Sequence, residues 1–250
     1  MRGRPSCFSI LPLVGVYGGS VGFLGTRIRR GALFRFEIRS LDDELSVVIR
    51  DCLESCVCRG LVRWSVGCVK LLSYDMRVVS PRSLLSGVES YVGCRSFSVV
   101  FFTPTCFRVK PFGVKVRRTR YLILPDPISL LSGLYRVWNA YFSPKIGEDY
   151  IKWLHYYSVV VAGVDNLRSL RVYEYEGDRR KKYDVGFVGS VRYSFVEDTY
   201  DKMMAFYTYL LLKFGEYSNV GRNRSSGFGV IKLIVPLSEF NKERGEDNRY

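Results

Sequence analysis

The chain has 250 residues, 47% of them hydrophobic and 15% aromatic, so it can bury a core and is not disordered by composition. Lys and Arg total 38 against 24 Asp and Glu, a net charge of +14 that points to a polyanionic partner, nucleic acid first. A single histidine excludes a histidine-rich metal site and a two-histidine acid–base ribonuclease within this chain. The positive excess is spread over both halves, and Arg outnumbers Lys 27 to 11, which suits the planar fork that grips phosphate.

From Pro5 to Thr26 the chain is uncharged and superficially like a signal peptide, but Pro12 and Gly15, Gly18, Gly19, Gly22 and Gly25 interrupt it too often for a membrane helix. A strand over Phe8–Val16 followed by a glycine loop fits better, and no membrane partner is expected. A basic burst at Arg27, Arg29 and Arg30 follows; it is either a solvated edge or a phosphate track. Ala32–Ile38 alternates as a strand does. Ser40 can cap a helix whose first turn carries Asp42, Asp43 and Glu44, with Leu45, Val48, Ile49, Cys52, Leu53 and Cys56 at helical spacing and Gly60 as the stop. This densest acidic group fits a helix start better than a two-metal site, and no metal site is expected. Leu61–Tyr74 reads as one strand.

The second half opens with a buried strand at Ser96–Thr103. Lys115, Arg117, Arg118 and Arg120 alternate in an extended segment, which suits contact with a phosphate backbone. Ile128–Phe142 and Gly147–Tyr156 read as helices. Ser158–Gly163 and Leu170–Tyr175 are short strands or one broken strand. The turn Glu176–Lys182 carries Arg179, Arg180, Lys181 and Lys182, a solvated hairpin tip, and Asp184–Phe195 is a strand. Thr199–Glu216 is a strong helix with Met203, Phe206, Tyr207, Leu210, Leu211 and Phe214 on one face, and Val230–Val235 is the last strand. Strand, helix, strand, strand, helix, strand is the ferredoxin-like order. The first half looks like the same unit without its opening strand and helix. The fold class expected is α+β: two tandem ferredoxin-like domains, residues 1–95 (incomplete at the N-terminus) and 96–250.

Seven cysteines with no CxxC pair read as buried free thiols in a reducing, cytoplasmic setting, with a disulfide or a metal as the alternatives. His155, in Trp153-Leu-His-Tyr-Tyr157, reads as a packed or partly solvated histidine; it is also the one candidate for a general base.

Between the last helix and the last strand lies Gly221-Arg-Asn-Arg-Ser-Ser-Gly227-Phe-Gly229. Glycines let backbone amides approach a phosphate, Arg222 and Arg224 add charge, and Ser225 and Ser226 add hydroxyl donors. It is not a P-loop, because Gly-Lys-Ser/Thr is absent and the helix precedes the loop. A glycine hairpin with solvated arginines is the plain alternative.

This loop resembles the glycine-rich loop of the repeat-associated RNA-binding (RAMP) superfamily and, within it, of the CRISPR RNA-processing endoribonucleases, the Cas-six family. Further stretches agree in order: Phe101-Phe-Thr-Pro-Thr105; Leu124-Pro-Asp-Pro127, then Leu134-Tyr-Arg-Val-Trp-Asn139 and Phe142-Ser-Pro144; Val185-Gly-Phe-Val-Gly-Ser190; and Phe214-Gly-Glu-Tyr leading into the loop. Together they cover roughly residues 96–235. Ser6-Cys-Phe-Ser-Ile-Leu resembles a family stretch that follows the first strand and helix, and Ser40-Leu-Asp-Asp-Glu-Leu fits the second helix. Family members that use a catalytic histidine usually carry it in the region before that stretch.

The resemblance implies binding and cleavage of CRISPR precursor RNA within its repeat, without metal or cofactor. The ribose 2′-hydroxyl attacks its own phosphate and leaves a cyclic phosphate and a 5′-hydroxyl. The protein aligns the hydroxyl, takes its proton and stabilises the phosphorane. It implies RNA contact by Gly221, Arg222, Asn223, Arg224, Ser225, Ser226, Gly227 and Gly229, to which charge adds Arg27, Arg29, Arg30, Lys115, Arg117 and Arg118. A CRISPR effector complex is a further expected partner. The main rival is a non-catalytic RNA-binding subunit of the same superfamily; the third reading is a secreted or structural basic protein.

Overall fold

The computed structural model describes residues 5–17, 20–23, 30–64, 67–109, 120–177 and 180–236. The first sheet has the order β2-β1-β3: β1 (Phe8–Tyr17) lies between β2 (Ser20–Phe23) and β3 (Phe34–Ser40), antiparallel to both. The expected glycine loop after β1 is thus partly a strand. α1 (Asp43–Arg59) is capped by Asp42, whose carboxylate accepts from Leu45 N at 3.0 Å, while Ser40 braces the backbone of Asp42. Gly60 stops α1 at φ +76°.

Leu61–Tyr74 is not one strand. β4 (Val62–Trp64) and β5 (Gly67–Val69) fold back on each other, and residues 70–80 form no regular element. α2 (Pro81–Val88), unforeseen from the sequence, starts at the Ser80 cap with Pro81 in its first turn.

The larger sheet has the order β11-β6-β10-β9, antiparallel throughout. β6 (Ser96–Thr105) is central, and Phe97, Val99, Phe101, Thr103 and Thr105 alternate into the core. A short hairpin follows, β7 (Phe107–Val109) with β8 (Arg120–Leu122). Then come α3 (Pro127–Tyr141), α4 (Asp149–His155), β9 (Val159–Gly177), β10 (Arg180–Phe195), α5 (Lys202–Ser218) and β11 (Ile231–Ile234). β9 is a single strand; its apparent break is a left-handed Asn166 opposite the register shift between Val188 and Ser190 of β10. Beyond Phe187, where β6 ends, β9 and β10 pair only with each other among the described residues, as a projecting ribbon.

α3 and α5 pack on each other, and α5 also packs on β11 and α2. The core is aromatic: Trp138, Tyr150, Tyr193, Tyr209, Phe97, Phe101 and Phe214 are all nearly inaccessible, each worth about 1.5–3 kcal/mol of burial. α5 was expected to bury one stripe including Met203. Met203 is instead 55% exposed, while Tyr209 and Leu212 are buried, because α2 and the ring of Tyr91 cover that side.

All seven cysteines are free thiols, but only Cys94 and Cys106 are buried. The expectation of buried thiols fails for Cys52, Cys58 and Cys68, which are exposed; α1 has no buried residue at all. Among the described residues no helix is long and apolar enough to cross a membrane.

Candidate nucleic-acid interface

The glycine loop is seated at the C-terminal end of β6. Thr103 Oγ1 accepts from Val230 N at 2.9 Å, Pro104 O from Gly229 N at 3.2 Å, and Cys106 O from Arg222 N at 3.0 Å. Val220 N closes the mouth of the loop onto Gly229 O at 2.8 Å. The Phe101–Thr105 stretch is therefore the cradle of the loop. Two glycines are required by this seat. A Cβ on Gly229 (φ +72°) would lie 1.8 Å from Val220 O, and one on Gly221 (φ +74°) would lie 2.5 Å from Cys106 O. Several loop amides serve the turn itself: Ser226 N and Phe228 N donate to Asn223 O, and Gly227 N to Arg224 O. The amides of Gly221, Asn223, Arg224 and Ser225 have no partner among the described residues.

The two loop arginines have different surroundings. Arg224 is buried at 7% exposure; its Nη1 donates to Ser218 O at 2.9 Å and its Nη2 to Ser6 O at 2.7 Å. Burial holds its pKa below the ordinary arginine value, the Tyr141 hydroxyl opposing and Arg136 adding to the shift. Its guanidinium thus joins α5 to the segment before β1. Arg222 is partly exposed. Its Nη1 donates to Asp184 Oδ1 at 2.5 Å, and its guanidinium lies 4.6 Å from the centre of the Tyr121 ring. Burial draws its pKa down, but the hydrogen bond and charge of Asp184 more than offset this and raise it. Asn223 Nδ2 donates to Asp184 Oδ2 at 2.5 Å, so one buried carboxylate orients two adjacent loop side chains. Beneath them the Cys106 thiol is pushed up, chiefly by burial.

Sequence reading missed Asp184 and Tyr121. An acid ahead of the apolar run Val185–Val188 is the only trace of Asp184, and nothing in the order of residues pairs it with Arg222. Tyr121 lies on a three-residue strand too short to recognise by alternation.

Ser225 and Ser226 are on the loop's 3-10 turn, Arg224–Ser226. Arg30 is exposed in a turn before β3. Arg27, Arg29, Lys115, Arg117, Arg118 and Arg179 are outside the described residues. His155 is exposed at the end of α4, its Nδ1 2.7 Å from Ile151 O. The strand after it begins with Val159 opposite Phe195, whose amide bonds Arg95 O. That is the start of β6, whereas the loop sits at its end. Ten residues of strand separate the two, about 30 Å at ~3.4 Å per residue. Among the described residues no group of three or more His, Cys, Asp or Glu is placed to hold a metal.

The remaining motif stretches build structure around this seat. Trp138 Nε1 donates to Pro144 O at 2.9 Å, and the Asn139 amide exchanges two hydrogen bonds with Ile146, locking the turn after α3.

Comparison with known proteins follows the same region. The fold matches a Cas6 from Thermus thermophilus solved as a product complex, at 20% identity over 93% of this chain and 84% of that one, with a TM-score of 0.69. A second Cas6 product complex matches at 20% identity over 93% and 83%, with a TM-score of 0.65. A Cas6 substrate mimic complex matches at 20% over 91% and 85%, with a TM-score of 0.60. At these identities the likeness is one of fold, an α+β fold shared with Cas6 structures. No curated protein matches the sequence significantly. The family profile of the CRISPR-associated endoribonuclease Cas6 matches residues 99–231, from inside β6 to the start of β11 and across the entire loop seat. The chain belongs to this family of CRISPR RNA-processing endoribonucleases.

Proposed function

We propose that this protein binds CRISPR precursor RNA and cleaves it within the repeat, without a metal, by attack of a ribose 2′-hydroxyl on its own phosphate. The observation that carries the reading is the loop Gly221–Gly229. It has four amides without partners among the described residues and presents Arg222 between Asp184 and the Tyr121 ring. Unpartnered amides and a guanidinium held in one orientation are what a phosphate oxygen needs. The same groups would stabilise the charge of a phosphorane. The architecture proposed is two tandem ferredoxin-like units, residues 1–95 and 96–250. The order β11-β6-β10-β9 with α3 and α5 as the intervening helices supports the second of them.

Incubation with end-labelled repeat RNA in excess EDTA tests the proposal. A single cut, a cyclic phosphate product and loss of the cut on replacing the 2′-hydroxyl upstream by hydrogen are expected. Cleavage abolished by EDTA and restored by magnesium would sink the mechanism.

One observation favours the rival reading, a non-catalytic RNA-binding subunit. The only histidine is at the opposite end of the β6 strand from the loop. Tight binding of repeat RNA with no product over hours would select that reading.

A further inference from the structure

A helix leaves its last four carbonyls without intrahelical donors. In α5, three of these are satisfied from elsewhere. Glu216 O accepts from Arg39 Nη1 at 2.7 Å, Tyr217 O from Ser9 Oγ at 3.4 Å, and Ser218 O from Arg224 Nη1 at 2.9 Å. Two of the three donors, Arg39 and Ser9, come from the first sheet, yet they meet α5 where it runs into the glycine loop.

Arg39 does more than cap. Its side chain is aimed by Glu37, which accepts from Nε at 3.3 Å and Nη2 at 3.1 Å, leaving Nη1 to span Glu216 O and Asn219 Oδ1 at 3.0 Å. Asn219 is fully buried and left-handed, with φ +55°. Its amide nitrogen donates to Phe228 O and to Ile10 O, both at 3.0 Å. Asn219 precedes the loop and Phe228 lies near its end, so this one amide ties the two ends together. Arg39 fixes which way the amide faces: its donor fork accepts no oxygen-for-nitrogen flip. The Arg39 charge also sits at the negative end of the α5 dipole. With only 19% of its side chain exposed, Arg39 is committed to these partners.

We infer that Arg39 is a positioning residue for RNA binding: it holds the Asn219 amide that closes the glycine loop, and so sets from the first sheet the attitude in which Arg222 and the loop amides meet RNA. This rests on the reading that the loop holds the RNA backbone.

The test uses the full chain, with Arg39→Met, Arg39→Lys, Arg222→Ala and the double variant Arg39→Met/Arg222→Ala. CRISPR repeat RNA is titrated at several salt concentrations, and amide hydrogen exchange is measured without RNA. Arg39→Met weakens binding about tenfold, the scale of one lost charged hydrogen bond. The salt slope is unchanged, because no phosphate contact is removed. In the Arg39→Met background, Arg222→Ala costs less affinity than it does alone, and Arg39→Lys recovers part of the loss. Without RNA, exchange at Phe228 and Gly229 quickens in Arg39→Met while exchange in β6 does not. A slope lowered by about one would make Arg39 a direct contact instead. Unchanged affinity with a lower melting temperature, or strict additivity of the two substitutions, would overturn the positioning role. Unchanged loop exchange would overturn it whatever the RNA does. Faster loop exchange with Arg222→Ala also silent in binding would leave Arg39 as the clamp of the loop and refute the RNA reading itself.

Discussion

Replacing Gly229 by Ala tests whether the loop's glycines serve its own seat. Gly229 has φ +72°, which costs an alanine about 1–2 kcal/mol. The added Cβ would lie 1.8 Å from Val220 O, far inside any allowed contact, so Val220 and Gly229 must separate. That movement breaks the bond from Val220 N to Gly229 O and disturbs the one from Gly229 N to Pro104 O. Both sites are buried, and each buried group left unpaired costs about 1–3 kcal/mol. The total is about 4 kcal/mol, which for a chain of this size lowers the melting temperature by about 10 °C. Gly133→Ala in α3 is the matched control. Its Cβ meets no heavy atom within 4 Å, and it should gain about 0.5–1 kcal/mol from helix propensity. Melting followed by circular dichroism, with repeat RNA retention on filters, reads both variants. A Gly229→Ala protein melting within 2 °C of the wild type, at about the precision of the scale used, would refute the reasoning. So would an equal loss in the Gly133 control.

The two loop arginines should part company: Arg222→Ala lowers the salt slope of RNA binding by about one, whereas Arg224→Ala leaves the slope alone and lowers the melting temperature by several degrees. A slope change from Arg224→Ala would show that its guanidinium leaves the carbonyls of Ser6 and Ser218 for phosphate. His155→Ala should leave cleavage within about twofold of wild type, since a surface substitution remote from the loop has little to act through; loss of activity would make it the base. Native protein treated with a thiol reagent should label Cys52, Cys58 and Cys68 quickly and Cys94 and Cys106 only on unfolding, which peptide mapping by mass spectrometry reads directly. Stability should fall as pH rises above about 8.5, where the unfolded chain loses a Cys106 proton that the folded chain retains. It should fall more steeply above about 10, because burial also raises Tyr150, Tyr193 and Tyr209. In each case the unfolded state binds fewer protons than the native state, so the slope is negative; urea midpoints that hold constant from pH 8 to 10.5, a span set by those ordinary thiol and phenol values, would contradict it.

The elements of the second half were legible wherever one physical signal dominated. β6 alternates, α3 begins at Asp126 with Pro127 in its first turn, and the glycine loop is punctuated by its own composition. α2 carried a readable start in Ser80-Pro81, but its eight residues are too few for a period to stand out. Residues 61–74 read as one strand because β propensity runs through them without marking that Val62–Trp64 pairs back on Gly67–Val69. At the site, sequence showed which residues are cationic but not which are buried. Periodicity places charges outside, whereas Arg224, Asp184 and Glu216 lie inside because each meets partners from remote parts of the chain. Glu216 receives Leu233 N at 2.9 Å, Lys213 Nζ at 2.8 Å and Lys232 Nζ at 3.3 Å.

The seating of the loop on β6 carries a consequence for how the molecule comes into being. Val230 N reaches Thr103 Oγ1 across a sequence separation of 127. Closing so large a circuit carries an entropic penalty that only the finished sheet repays. During synthesis β6 must wait, its future neighbour on one side still unmade, until the ribosome has passed β11. Only then can Pro104 and Cys106 receive the loop. The loop is therefore among the last parts to acquire its shape, and a nascent chain stalled before residue 231 carries β6 and the loop without the β11 strand that brings one onto the other.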